Sequence, residues 1–258
     1  MLCPILRWGS GWISNYFGKW GVTMDKINAI VLAAGSGKRM GTSTPKQYLP
    51  LCGKPVMVHC LEAFEQSSVD AIVLVVAEGD IPYCRREIVE KYHITKVSAI
   101  VEGGKERYDS VYRGLCAQSC DYVLIHDCAR AFVTVDLIQR AISAVRTYGA
   151  CVVGMPTKDT VKIADEEGYV DHTPQRSRVW NIQTPQCFSY PLVYGAYRRL
   201  QEVDATDITD DAMVVEMMTD VRVKLIEGSY DNIKVTTSED LALGERILER
   251  AGRDKSDG

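Results

Sequence analysis

A glycine-rich segment, Gly35-Ser36-Gly37, directly follows a largely apolar run over Ile27–Ala33. An apolar run of this kind is typical of a strand buried on both faces of a parallel sheet. Open α/β sheets bind their ligands where such strands end. Glycines at that position let backbone N–H groups approach phosphate oxygens. The segment therefore predicts a phosphate-binding loop.

Two cationic side chains, Arg39 and Lys46, follow the glycines closely in the stretch GKRMGTSTPKQYL. Two cations beside a backbone phosphate cradle suit a polyphosphate whose α-phosphate gains negative charge in the transition state of group transfer. A solvated basic loop is the other interpretation of such a pair. The preceding strand and the glycines favour the phosphate site.

Two common nucleotide-binding patterns do not match this segment. The Walker pattern requires Gly-x4-Gly-Lys-Ser/Thr, but Leu32 stands where the first Gly belongs and Arg39 replaces the Ser or Thr. The dinucleotide pattern requires a third Gly or Ala, which is Met40 here, and an acidic residue about 20 positions later, where the chain has Pro55. A dinucleotide-dependent oxidoreductase is therefore disfavoured.

Further apolar runs alternate with segments of helical periodicity along the chain. Strands are predicted at residues 71–77, 97–101, 122–125 and 150–155, and helices at 56–64, 82–92, 109–117 and 137–148. This alternation is typical of βαβ units with right-handed connections. The predicted fold class is α/β, with a Rossmann-like, mostly parallel sheet, helices on both faces and a projecting β-arm.

The β-arm is predicted where the alternation breaks. Residues 157–180 hold short β-prone pieces around Glu166-Glu167-Gly168, which indicates a hairpin. Residues 221–226 and 233–236 are predicted as further strands, and Ser238 is predicted to cap a closing helix over 239–250. We therefore predict a single domain over residues 24–252, with the β-arm at about 157–180, and a frayed tail at 253–258.

Residues 1–23 differ from the rest of the chain and hold three of its four tryptophans, Trp8, Trp12 and Trp20. Arg7 and the neighbouring glycines interrupt the apolar stretch that a secretory signal requires. The expectation is a disordered or non-native leader, with Met24 as the working start. An aromatic anchor on a membrane surface is the alternative.

Charge, thiols and hydropathy exclude several classes of protein. The net charge of −4 provides no basic footprint, so we expect no nucleic-acid partner. No apolar run approaches the ~20 residues that span a bilayer, so no membrane partner is expected. The nine cysteines show no CxxC pair and no zinc-finger spacing, which predicts reduced thiols and a cytoplasmic location.

The glycine loop and its two cations resemble the nucleotide-binding signature of the sugar nucleotidyltransferase superfamily. Six later motifs match, in order, those of the 2-C-methyl-D-erythritol 4-phosphate cytidylyltransferase family of the non-mevalonate isoprenoid pathway. The resemblance covers residues 24–250. These motifs are GGKERYDSV (103–111), HDCARAF (126–132), KDTVK (158–162), the segment 176–186 with WNIQTPQ, TDDA (209–212) and DNIKVT (231–236).

The resemblance implies direct transfer of a cytidylyl group. In that family the phosphate of a methylerythritol phosphate attacks the α-phosphorus of CTP and releases pyrophosphate, while Mg²⁺ bridges the triphosphate. A phosphate monoester is already a nucleophile at neutral pH, so positioning and charge neutralisation suffice. The expected partners are CTP, an alditol phosphate and a second copy of the chain; no protein ligand of Mg²⁺ is assigned.

The resemblance also assigns roles to residues at matching positions. Arg39 and Lys46 correspond to the catalytic cations, and the β-arm is expected to carry Thr160 and Arg176 into the active site of the partner in a homodimer. The nucleotide-binding positions are Ala33, Ala34, Gly35, Ser36, Gly37, Gly103, Gly104, Ser110, Asp127 and Lys234. The positions for the second substrate are Arg130, Thr160, Arg176, Thr184 and Thr209.

Other interpretations stay open. A ribitol 5-phosphate cytidylyltransferase would share the fold, the cations and CTP, and its substrate differs only by a branch methyl and a chain carbon. A non-catalytic nucleotide-sensing module is disfavoured because Arg39 and Lys46 are both present. Asp127 has the alternative of a turn cap, and His126 is interpreted as a packed histidine rather than a base. Departures from the family pattern occur at Lys105, Cys128 and Ala131.

Overall fold

The structure, a computed structural model, describes residues 25–35, 44–203 and 207–256, so the predicted leader lies outside the described residues. The strands are β1 (Ile27–Ala33), β2 (Pro50–Leu51), β3 (Lys54–Pro55), β4 (Ala71–Val76), β5 (Val97–Glu102), β6 (Tyr122–Asp127), β7 (Ala150–Pro156), β8 (Ile163–Ala164), β9 (Val170–His172), β10 (Trp180–Ser189) and β11 (Lys224–Glu227). Seven of them form one sheet in the order β11-β7-β10-β6-β1-β4-β5. Within that sheet β10 runs antiparallel to both neighbours and every other pairing is parallel. The predicted α/β class with a mostly parallel sheet is confirmed.

Helices cover both faces of this sheet. They are α1 (Val56–Gln66), α2 (Ile81–Tyr83), α3 (Arg107–Cys116), α4 (Val135–Tyr148), α5 (Tyr190–Leu200), α6 (Asp211–Met218) and α7 (Ser238–Ser256), and a π-helical segment, Cys84–Glu90, continues α2. The apolar side chains of α1 and α4 pack on one face, and those of α3, α5 and α6 pack on the other. None of the helices within the described ranges is both long and apolar enough to cross a bilayer.

Local sequence signals account for α4, which packs beside the central strands. Its buried face repeats at helical spacing through Leu137, Ile138, Ala141, Ile142 and Val145. The Thr134 hydroxyl accepts a hydrogen bond from the backbone N–H of Leu137 and so caps the first turn. Gly149 ends the helix with a φ of 73°, a left-handed conformation that glycine adopts at little cost.

The predicted hairpin is present as a small two-stranded sheet, β8 with β9, separate from the main sheet. Its turn contains Gly168 with a φ of 88°, and the backbone N–H of Gly168 donates to the carbonyl of Asp165. Three apolar side chains on the arm, Ile163, Tyr169 and Val170, are 41%, 70% and 60% exposed. An isolated chain therefore leaves apolar surface of the arm in contact with water.

Two elements in the C-terminal half of the chain differ from the sequence-based prediction. Residues 233–236 were predicted as a strand, but they lie in a segment without regular structure. The central strand β10 was not predicted, because Pro185 and its polar neighbours argue against a strand inside a sheet. The register of β10 against β7 shifts between Ile182 and Gln186, which accommodates the proline.

The closing helix is also longer than predicted. It begins at Ser238 and continues to Ser256, so most of the predicted tail is helical. The carboxylate of Asp240 accepts hydrogen bonds from the backbone N–H groups of Thr236 and Thr237. Asp240, in the first turn of α7, thus binds the two residues that precede the helix, and Ser238, which was predicted to cap the helix from outside, is its first residue.

Candidate functional site

A cavity of about 460 Å³ opens at the carboxyl ends of β1 and β6. The same edge receives the first turn of α3 and the irregular segment that follows β11. This is the edge at which open α/β sheets bind ligands. The described lining residues are Leu32, Ala34, Gly35, Lys46, Gln47, Gly104, Lys105, Glu106, Arg107, Ser110, Asp127, Cys128, Ala129, Lys234 and Thr236.

The cavity is lined by more positive than negative side chains. Four of the described lining residues are cations and two are carboxylates, which leaves an excess of two positive charges. The cations are Lys46, Lys105, Arg107 and Lys234, and the carboxylates are Glu106 and Asp127. Such a lining favours a ligand that carries several negative charges, because opposite charges attract strongly in a partly desolvated site.

Asp127 is held between two of these cations. One of its oxygens accepts from Arg107 Nε at 3.2 Å, and the other accepts from Lys234 Nζ at 2.6 Å. Burial opposes the charged form of Asp127, but Arg107 and Lys234 outweigh it, so the pKa of this carboxyl lies well below its ordinary value. Asp127 is therefore ionised and joins the end of β6 to α3 and to the segment of Lys234.

Lys46 lies in a single 3-10 turn, Lys46–Tyr48, beside the end of β1. The next residue, Gln47, is 1% exposed and donates from Nε2 to the carbonyl oxygen of Ala33 at 2.8 Å. This hydrogen bond fixes the turn against the strand. It explains why Lys46 lines the cavity although it lies 13 residues after the last residue of β1.

Two glycines precede α3 at the cavity: Gly104 lines it, and Gly103 lies directly behind the lining. Gly103 donates its backbone N–H to the carbonyl of Val76 at 2.7 Å, and Gly104 donates to the Ser110 hydroxyl at 3.1 Å. A Cβ atom added to Gly103 would lie 2.5 Å from the Ala34 side chain and 2.7 Å from Ser110 Oγ. The close approach of these segments requires glycine at this position.

We expect Gly103→Ala to lower the free energy of unfolding by about 1–3 kcal/mol, because the new methyl group forces its neighbours apart. Gly195→Ala is the matched control, since a Cβ atom there meets nothing within 4 Å. In α5 the control substitution should be neutral or stabilising, because alanine favours a helix over glycine. Chemical denaturation of the two variants measures the difference, and equal stabilities would contradict the close packing at Gly103.

The structure brings most of the predicted nucleotide-binding residues together. Those that line the cavity are Ala34, Gly35, Gly104, Ser110, Asp127 and Lys234, and Lys46, which was predicted as a catalytic cation, lines it with them. Ala33 and Gly103 lie directly behind this lining, as their hydrogen bonds to Gln47 and Val76 show. Ser36, Gly37 and Arg39 lie outside the described residues.

The residues predicted for the second substrate are more scattered. Thr184 is 4% exposed; its hydroxyl accepts from the backbone N–H of Asp127 and shares a hydrogen bond with His126 Nδ1. Arg130 donates to the carbonyl oxygens of Asn232 and Ile182 at 2.9 and 3.1 Å. The side chains of Thr184 and Arg130 therefore bind other parts of the protein, and neither lines the cavity. The remaining three, Thr160, Arg176 and Thr209, are exposed and do not line the cavity.

Two buried groups near the cavity are not suited to catalysis. His126 is fully buried, and burial lowers its pKa to about 4, so the imidazole is neutral at pH 7 and packs edge-on against Phe64. Burial raises the pKa of Cys128 to about 12, so this thiol stays protonated although it lines the cavity. The geometry agrees with the interpretation of His126 as a packed histidine.

Sequence reasoning missed two residues that complete the charge network. Arg107 donates to both oxygens of Asp211 at 2.8 Å in addition to its contact with Asp127. Both residues lie in motifs quoted above, GGKERYDSV and TDDA, but no role was assigned to them. An arginine and an aspartate in separate motifs were the available signal. Only the fold shows that they meet.

Comparisons with known proteins show what the chain is similar to. The family model described as 2-C-methyl-D-erythritol 4-phosphate cytidylyltransferase matches residues 27–250. A protein of that name from Clostridium botulinum (strain 657 / Type Ba4) is 50% identical over 230 residues, covering 88% of this chain and 99% of its own. Another from Alkaliphilus oremlandii is 47% identical over 235 residues, covering 89% and 99%. The crystal structure of 4-diphosphocytidyl-2C-methyl-D-erythritol synthase from Anaerococcus prevotii superimposes with a TM-score of 0.78 at 35% identity, covering 87% and 96%.

Proposed function

Because the chain belongs to the 2-C-methyl-D-erythritol 4-phosphate cytidylyltransferase family, we propose that the cavity at the ends of β1 and β6 is its active site. The reaction is transfer of a cytidylyl group from CTP to 2-C-methyl-D-erythritol 4-phosphate in isoprenoid biosynthesis. The observation that carries the assignment of the cavity is its cationic lining, with Lys46, Arg107 and Lys234 facing one space beside the glycine walls.

The chemistry requires little of the protein beyond placement and charge. A phosphate oxygen of the second substrate forms a bond to the α-phosphorus of CTP, and the bond from that phosphorus to the bridging oxygen breaks to release pyrophosphate. Negative charge accumulates on the α-phosphate oxygens in the transition state, where preorganised cations are most effective. Lys46 and Arg39 are proposed to supply this stabilisation.

The remaining contacts of the nucleotide follow from the walls of the cavity. The base is proposed to lie along the backbone at Ala33 and Ala34, with Gly103, Gly104 and Ser110 at the same wall. A Cβ atom at Gly103 would lie 2.5 Å from the Ala34 side chain, so these segments touch and form one continuous surface for the ring. The triphosphate is proposed to contact the loop of Gly35, Ser36 and Gly37. The two residues that would position the ribose and the phosphates are Asp127 and Lys234.

Mg²⁺ is proposed to enter with the triphosphate rather than in a protein cage. Within the described ranges, no group of three His, Cys, Asp or Glu side chains is arranged to hold a metal ion. Mg²⁺ sites for nucleotides commonly use one or two carboxylates together with substrate phosphates. Asp127 and Glu106 are the described lining carboxylates that could add a ligand, so the residues fit such a site. When bound, Mg²⁺ would neutralise charge on the departing pyrophosphate.

A homodimer is proposed to complete the site through the β-arm. Thr160 and Arg176 are exposed and do not line the cavity of their own chain. The arm also exposes Ile163, Tyr169 and Val170, which would be buried against a second copy. Binding of the second substrate stays a prediction for Arg130, Thr184 and Thr209. The side chains of Arg130 and Thr184 bind backbone groups of the protein.

A cytoplasmic location is proposed on the basis of the thiols. The eight cysteines among the described residues are all free, and five of them are buried. Proteins of oxidising compartments tend to use such residues in disulfides, whereas the cytosol keeps thiols reduced.

We expect the purified protein with Mg²⁺ to release pyrophosphate from CTP and 2-C-methyl-D-erythritol 4-phosphate. The assay compares four nucleoside triphosphates, and it replaces the second substrate by ribitol 5-phosphate in a parallel series. Lys46→Ala protein, purified in the same way, controls for contaminating activity. No pyrophosphate with the first pair would contradict the activity, and faster release with ribitol 5-phosphate would reassign the second substrate.

A further inference from the structure

The contacts of Arg107 extend beyond the cavity into the core. Its guanidinium forms a bidentate pair with Asp211, the first residue of α6, with both N···O distances at 2.8 Å. Its Nε donates to Asp127 at 3.2 Å. Bidentate pairs between guanidinium and carboxylate fix the plane and direction of the arginine as well as its distance. The pair with Asp211 therefore sets the direction in which the Nε of Arg107 points toward Asp127.

Asp211 is itself rigidly held and separated from the cavity. Its side chain is 0% exposed, and it does not belong to the cavity lining. Tyr197 donates its hydroxyl to Asp211 Oδ1 at 2.6 Å, and Gln186 Oε1 accepts from the backbone N–H groups of Asp211 and Ala212, both at 2.9 Å. A substrate in the cavity thus cannot touch Asp211, but the position of Asp211 controls that of Arg107.

At its other end, this series of contacts reaches Asp127 and Lys234, which line the cavity. Asp127 accepts from Arg107 on one oxygen and from Lys234 on the other. Lys234 lies on a segment without regular structure, so its position depends on side-chain contacts more than on a helix or strand. Two carboxylates and two cations alternate along the path Asp211, Arg107, Asp127 and Lys234, and their charges balance.

We propose that Arg107 and Asp211 are positioning residues for the cytidylyl transfer, which act by holding Asp127 and, through it, Lys234 in place. The proposal rests on the proposed function of the cavity. It assigns to the TDDA motif a role at a distance from the substrates. Displacement of a phosphate-binding cation by a fraction of a bond length weakens transition-state stabilisation more than binding of the ground state.

The decisive variant is Asp211→Asn, which keeps the size of the side chain and one oxygen that can accept from Arg107 and Tyr197. It replaces the other oxygen by an NH2 group, which cannot accept from the second guanidinium nitrogen, so the bidentate pair is lost. We expect kcat to fall about tenfold, while KM for CTP changes less than threefold, because the lost interaction is realised mainly in the transition state. Asp136→Asn is the matched control. It makes the same change in an aspartate–arginine pair that lies outside the cavity, so its kcat should equal that of the wild type.

A double-mutant cycle separates positioning from loss of stability. If Asp211 acts through Asp127, Asp211→Asn should cause no further fall in kcat once Asp127→Asn is present. Arg107→Gln alone would leave Asp211 as a buried unpaired carboxylate, so it is made together with Asp211→Asn, which removes both charges of the pair. Melting curves of every variant establish that the assays use folded protein.

Three outcomes are informative. A tenfold fall in kcat for Asp211→Asn that vanishes in the Asp127→Asn background supports the proposal. Unchanged kcat for folded Asp211→Asn, with only a lower melting temperature, overturns it and leaves the pair a structural role. Wild-type protein that releases no pyrophosphate from CTP instead refutes the proposed function, and that result is visible before any variant is assayed.

Discussion

Lys46→Ala should lower kcat by about 10²–10³, with a much smaller change in KM for CTP, because the charge that Lys46 meets grows in the transition state. Gln47 anchors the turn of Lys46 to the carbonyl of Ala33, so the ammonium group is held beside the end of β1 before substrate arrives. A cation positioned in advance needs no reorganisation during the reaction. Steady-state kinetics with pyrophosphate detection measures both constants.

Lys54→Ala provides the control for Lys46→Ala. Lys54 pairs with Glu62 at 2.6 Å outside the cavity, and both side chains are partly exposed. Exposed pairs of this kind contribute about 0–1 kcal/mol, so activity should be unchanged and stability nearly so. Unchanged kcat with a raised KM for Lys46→Ala would show that Lys46 binds the ground state instead. From the sequence alone, Arg39→Ala is also expected to lower kcat by about 10²–10³.

Mixing Lys46→Ala with Arg176→Ala protein should restore about a quarter of wild-type activity, although each variant alone is nearly inactive. If the β-arm completes the partner's site, each site takes Lys46 from one chain and Arg176 from the other. A hybrid dimer then contains one doubly damaged site and one intact site. Random pairing of equal amounts makes about half of the dimers hybrid, and each hybrid has one working site of two.

The experiment needs chains that exchange, so the two variants are co-expressed with different tags, and hybrids are isolated through both tags. Isolated hybrids should have about half of wild-type activity, because one of their two sites is intact. Lys46→Ala with Lys234→Ala is the matched control. Both of these residues line the cavity of one chain, so neither site of that hybrid is complete and no activity should return. Isolated hybrids of the first pair without restored activity would mean that the arm serves its own chain or has no part in catalysis.

Many elements could be predicted because their signals are local. The bounds of β1 agree with its apolar run, and α1, α3 and α4 were found within a few residues of their ends. Helical periodicity, caps and glycines act over a few residues, and hydrophobic burial preserves them in the fold. Where local signals conflict, as at Pro185 in β10, the prediction failed because tertiary pairing outweighs the local preference.

The candidate site divides in the same way. Motif matches predicted that Gly35, Lys46 and Lys234 belong to one site, and these three residues line one cavity in the structure. Motif spacing could not show whether Arg130 and Thr184 would face the cavity. Their side chains turn to carbonyl groups and to Asp127, as the packing of β10 beside β6 requires.

By itself, the sequence determined the class of fold and the family of the chain. Each of these depends on residue types at short spacings, which are visible in one dimension. Only the tertiary structure decided that Arg107 meets Asp211, 104 positions away, and Asp127, 20 positions away. Such pairings depend on the order of the strands and on how α3 and α6 pack over them. Side-chain geometry across that sheet, rather than any local pattern, therefore determines which charges in the cavity are held in place.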